Sequence, residues 1–178
     1  MKKFATLCAV GALSMLGVVP AAAATRNTSH PQPISGTTSG PDTYASPSTC
    51  PEGAAWRFNS TGTGRLTHLG KVTVTNTHCT FLADFSFSGG EMTITAANGD
   101  ELLMTYSGTF VMVFGPSGPV RSDVQLAWDI VGGTGRFAGA EGSGTGTGYG
   151  EDFGPTTSTT TMSYDGWIST AIGSLKSN

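Results

Sequence analysis

Charge is scarce in this sequence: Asp, Glu, Lys and Arg together make up 12% of 178 residues, which excludes a coiled coil or a charged tail protein. Beyond Val19 there is no apolar run of the roughly 20 residues that cross a bilayer as a helix. No stretch carries a 3.6-residue apolar period long enough for a substantial helix. Histidine and cysteine occur three times each, and the cysteines lack the close CxxC spacing that zinc sites usually show, so no metal is expected. What the chain has instead is 26 Gly and about as many Thr, both poor helix formers. An all-β domain is the expectation, and the length fits one domain.

Residues 1–24 have the layout of a secretory signal: Lys2 and Lys3, an apolar stretch from Phe4 to Val19, then Pro20 and small residues to Ala24. A secreted or periplasmic protein without a membrane anchor is expected. Leu7 before Cys8, where a lipoprotein signal needs a small residue, argues against lipidation. The remaining 154 residues hold 7 basic against 12 acidic side chains, a net charge of −5 that makes nucleic acid a poor partner. They also keep Cys50 and Cys79, an even pair in an oxidising compartment, for which one disulfide is the simplest reading.

Residues 25–49 contain 17 Ser, Thr, Pro or Gly, with Ile34 and Tyr44 the only large apolar side chains, and the composition predicts a flexible leader. The compact domain is expected over 50–172, with a short tail at 173–178. Within it, runs of period two separated by Gly-rich or Asn-containing turns mark eight candidate strands. They are Ala55–Ser60, Lys71–Asn76, Thr80–Ser88, Glu91–Ala96, Glu101–Phe114, Val120–Val131, Glu141–Tyr149 and Thr157–Ile168. Asn98-Gly99 is the strongest hairpin signal, read as a two-residue turn with positive φ at both positions. Val124, Leu126, Trp128 and Ile130 alternate with polar residues, so one face is core and the other wet. The same parity turns Trp56, Phe58, Phe85, Phe87, Met92, Met104 and Tyr106 inward. A closed barrel and a two-sheet sandwich satisfy the pattern equally.

Residues 131–144 read Val-Gly-Gly-Thr-Gly-Arg-Phe-Ala-Gly-Ala-Glu-Gly-Ser-Gly. Gly132, Gly133, Thr134, Gly135, Phe137, Ala140 and Gly142 resemble the signature of the allene oxide cyclase-like barrels, the superfamily of plant allene oxide cyclases and dirigent proteins. Gly64 to Gly70 and Ala96 to Asp100 resemble segments of its small secreted bacterial members, and the likeness extends over residues 54–168. It implies a single eight-stranded antiparallel, calycin-like barrel with an apolar cavity. Physically, Gly132, Gly133 and Gly135 would allow a tight connection with positive φ under which Phe137 plugs one end. Gly142, Gly144, Gly146 and Gly148 share one strand face whose direction parity leaves open.

Known chemical motifs are absent. Gly133-Thr134-Gly135 followed by Gly139 is succeeded by a Gly-alternating strand rather than the helix a dinucleotide loop opens, so no cofactor is expected. Ser143 lacks the outer glycines of a nucleophile elbow. His68 and His78 have no acid partner visible in the sequence, and a backbone- or water-bonded histidine is the default for each. Trp56, Phe85, Met104, Tyr106, Trp128 and Tyr164 are the residues expected to line a pocket for a small apolar ligand. Three readings stay open: a binding barrel, a cyclase or dirigent-like enzyme acting on an apolar substrate, and a filled structural barrel. Oligomeric state is not legible.

Overall fold

A computed structural model describes residues 30–170, so the expected signal, the first residues of the expected leader and the expected tail lie outside the described residues. Eight strands run in chain order: β1 Gln32–Ala45, β2 Trp56–Leu66, β3 Gly70–Phe81, β4 Ser86–Ala96, β5 Glu101–Gly115, β6 Gly118–Gly133, β7 Glu141–Glu151 and β8 Thr157–Ser169. Each pairs antiparallel with its neighbours, and β1 pairs with β8 from Gln32↔Ile168 to Thr43↔Thr157, closing the barrel. Closure pairs every strand on both sides and removes the free edges that a sandwich would retain.

The count of eight conceals two compensating differences. Thr80–Ser88 is not a strand: Thr80 and Phe81 end β3, residues 82–85 turn, and Ser86 begins β4. The missing strand is β1, inside the segment whose composition predicts a leader. Gln32–Ala45 carries little apolar surface, but its backbone pairs on both sides and its inward positions are Ile34, Thr38, Asp42 and Tyr44, all buried or half-buried. The hydrogen bonds of closure and the burial of a few side chains order a segment that its hydropathy alone would leave free. The barrel therefore begins at Gln32 rather than at Cys50. Residues 46–55 form the β1–β2 connection, and Cys50 in it is disulfide-bonded to Cys79 on β3.

The two ends of the barrel differ. At one end the β2–β3, β4–β5 and β6–β7 connections meet over a dense core that includes Ile34, Leu66, Ile94, Leu102 and Ile168. A single 3-10 turn, Gly135–Phe137, places Phe137 there with no exposed surface, the plug expected of it. Gly132 (φ +155°) and Gly135 (φ +53°) have positive φ, as does Gly139 (φ +71°). Gly133 does not: it is required because a Cβ would meet Phe137 Cβ at 2.7 Å and Phe137 O at 2.8 Å. Thr134 fastens the turn to β5, its N–H donating to Glu101 O (2.8 Å) and its Oγ1 accepting from Glu101 N–H (2.9 Å). In the β4–β5 hairpin only Gly99 (φ +87°), not Asn98, is left-handed.

The β7 glycines face inward, with Glu141, Thr145 and Thr147 exposed between them. The Trp128 indole lies over Gly144 and over Gly166 of β8, where any Cβ would overlap it. On β2 to β4 many outward positions are threonines, as in the register pairs Thr63↔Thr73, Thr73↔Thr95 and Thr75↔Thr93.

Candidate functional site

The other half of the barrel is hollow. A cavity of about 530 Å³ opens at the end formed by the β1–β2, β3–β4, β5–β6 and β7–β8 connections. Its apolar wall, on β4 to β6, includes Phe87, Met92, Phe110, Val124 and Leu126, and its mouth is rimmed by Leu82, Phe85 and Phe114, all three exposed. The disulfide holds the 46–55 connection against β3 at this end.

Of the residues expected to line a pocket, Trp56, Phe85, Tyr106 and Tyr164 do so. Phe85 does it from a turn rather than a strand, with φ +52° and its ring edge-on to Phe110 at 5.6 Å. Met104 and Trp128 face inward but belong to the filled half. Trp128 is 2% exposed, and its Nε1–H donates to Thr145 O at 3.0 Å. Parity gives the face of a residue but not its height in the barrel, and height separates lining from filling.

The polar groups of the cavity are concentrated on one wall. Ser158, Asp42, Ser60 and Asn76 occupy one level of the inner wall on four successive strands, β8, β1, β2 and β3, through the register pairs Asp42↔Ser158, Asp42↔Ser60 and Ser60↔Asn76. Beyond Asn76 the same level continues as Met92 and Met104. The hollow thus has a polar side and an apolar side.

Asp42 is 1% exposed and sits directly behind the lining. Its Oδ2 accepts from Ser158 Oγ and Thr160 Oγ1, both at 2.6 Å, and Tyr44 OH donates to Ser158 Oγ at 2.6 Å. Among the described residues Oδ1 has no partner at hydrogen-bonding geometry. Burial raises the Asp42 pKa above its ordinary value, and the Ser158, Thr160 and Ser60 hydroxyls pull it part of the way back. Burial likewise raises Tyr44, Tyr106 and Tyr164, which stay neutral phenols.

The second polar group centres on His78. Its ring is stacked between Phe58 (4.4 Å) and Phe87 (4.6 Å), and Nδ1 lies 2.8 Å from Tyr106 OH. Tyr106 in turn donates to Asn76 Oδ1 at 3.0 Å. Burial pushes the His78 pKa down to about 3, so the imidazole is neutral at ordinary pH. His68 is different: it is exposed in the β2–β3 turn at the plugged end, with Nε2 3.1 Å from Pro33 O, an ordinary backbone-bonded histidine.

Asp42 is the functional candidate that the sequence conceals, because it falls within the segment read as a leader. The one faint signal was the shared parity of Ile34 and Tyr44, ten residues apart on what proves to be one strand. Among the described residues no cluster of His, Cys, Asp and Glu could hold a metal ion, and no helix is long and apolar enough to cross a membrane.

No protein-family model, curated protein or solved structure matches this chain.

Proposed function

We propose that this chain is an exported β-barrel of the allene oxide cyclase-like type that binds one small, largely apolar molecule inside the barrel. The observation that carries the reading is the cavity of about 530 Å³, apolar on one wall and polar on the other, at the end opposite the Phe137 plug. Its volume lies within the range of ordinary small-molecule sites, and its few polar groups converge as orienting groups do in such sites. A barrel serving only as a scaffold would fill this half as it fills the other. Export is supported by the signal-like residues 1–24 together with the Cys50–Cys79 disulfide. The family assignment rests on the Gly132 to Gly142 motif.

The test is a titration with fatty acids, terpenoids and phenolics, followed by tryptophan emission and by melting. A ligand in the hollow changes the surroundings of Trp56, and it raises the melting temperature because it binds only the folded state. Absence of both responses across all three classes overturns the reading.

A second reading, an enzyme that cyclises or couples the same kind of molecule, is favoured by Asp42. A buried carboxyl with raised pKa, linked through Ser158 to Tyr44 on the cavity wall, is the kind of group that supplies or accepts a proton. Turnover of a bound molecule by the wild type, lost in Asp42→Asn while binding persists, would select this reading over simple binding.

A further inference from the structure

The binding reading leaves open what the ligand must carry, and His78 bears on that. Asn76 Oδ1 can only accept, so the single phenolic hydrogen of Tyr106 goes to it. The 2.8 Å contact between Tyr106 oxygen and His78 Nδ1 then needs its hydrogen from the imidazole. In a neutral ring this leaves Nε2 without a hydrogen and with its lone pair free. Among the described residues no group donates to Nε2, while His78 lines the cavity. The ring cannot easily turn away, being clamped between Phe58 and Phe87 and tied at Nδ1.

We infer that His78 Nε2 is the acceptor for a hydroxyl group on an otherwise apolar ligand, so that the cavity selects alcohols over ethers and carboxylates of the same size. This rests on the binding reading of the cavity. A hydroxyl satisfies the bare nitrogen, whereas an ether oxygen presents a second lone pair to it. A carboxylate brings a negative charge beside an unprotonated imidazole and the Asp42 carboxyl, in a hollow where charge is poorly solvated. The depressed basicity of His78 keeps the nitrogen available as an acceptor at ordinary pH instead of becoming a cationic donor. Its place is that of a specificity-determining residue, in contact with the ligand and supported by Tyr106 and Asn76.

The experiment compares decanol, its isomer methyl nonyl ether, and decanoate with wild type and with His78→Phe, which keeps an aromatic ring in the stack and removes the acceptor. Wild type should bind decanol about ten-fold more tightly than the ether or the carboxylate, since leaving a buried acceptor unpaired costs about a power of ten in affinity. His78→Phe should bind decanol and the ether alike. Nitrogen-15 NMR of the free wild type should show Nε2 as the unprotonated ring nitrogen, its resonance moving with decanol and not with the ether. If His78→Phe does not fold, the wild-type preference and the nitrogen shifts decide by themselves. Equal wild-type affinities for decanol and ether, a preference that persists in His78→Phe, or a protonated Nε2 in the free protein would each overturn the inference and leave the cavity reading standing. Failure of all three probes to bind, with no response to the wider ligand titration, would overturn both.

Discussion

Trp128 on β6 and Gly144 on β7 are register partners, and the Trp128 indole occupies the volume that a Cβ on Gly144 would need. A large residue on one strand and an absent side chain on the next fill one level of the barrel together. Gly144→Ala should therefore destabilise the protein by roughly 1 to 3 kcal/mol, as overpacking of a dense core does. Ser143→Ala, on the outward face of the same strand, should stay within about 0.5 kcal/mol of wild type. Urea unfolding of the two variants checks this, and equal stabilities would show that the indole can move aside.

Gly133→Val should disrupt folding far more than Thr157→Val on the outer face of β8. The cause is contact rather than φ, because a side chain at Gly133 is driven into Phe137 and the β5 backbone. Melting temperatures report it. A near-normal Gly133→Ala alongside a collapsed Gly133→Val would mean that the plug tolerates one methyl group.

Removing residues up to Ala45 should abolish cooperative melting, because β2 and β8 would lose their shared partner and become open edges. Limited proteolysis of the intact protein should leave Gln32–Ala45 uncut. A truncated chain that begins near Cys50 and still melts sharply would show that the barrel can close without β1.

Reduction of Cys50–Cys79 should lower stability by roughly 3 to 4 kcal/mol on loop-entropy grounds for a separation of 29 residues. Intact mass before and after reduction, with thiol alkylation, establishes the bond in the native protein. Denaturant unfolding with and without reductant gives its contribution.

His78 should make stability fall with acid. Its folded pKa of about 3 lies below its ordinary value of 6.5, so its contribution is full above pH 6.5 and declines as pH drops toward 3, because the unfolded chain takes up the proton first. Each pH unit within that window costs up to about 1.4 kcal/mol. Between pH 7 and pH 5, wild type should lose roughly 2 kcal/mol more than His78→Phe. Asp42 has the opposite sign: its raised pKa favours the protonated folded form, so its contribution fades as pH rises through the folded pKa. Asp42→Asn should remove that decline.

Alternation and turn residues made most of the strands legible. Period-two runs such as Val124 to Ile130 have no helical interpretation, and Gly99, Gly135 and Gly139 stand where left-handed backbone is needed. The single cysteine pair beyond residue 24 made the disulfide readable, and the Gly-Gly-Thr-Gly-x-Phe run foretold the Phe137 plug. These are local properties: each depends on a few neighbouring residues, and the chain carries them before it folds.

Closure and the site are not local. β1 has almost no hydropathic signal, and it becomes a strand because β2 and β8 present unpaired backbone on either side of it. Only that closure puts Asp42 level with Ser158, Ser60 and Asn76 and so creates the polar wall. Whether an inward side chain lines the hollow, as Trp56 and Tyr106 do, or fills the core, as Met104 and Trp128 do, depends on its height along the barrel axis. Height is set by the register of eight strands and by the bulges between them, a property of the closed sheet that no single strand's alternation contains.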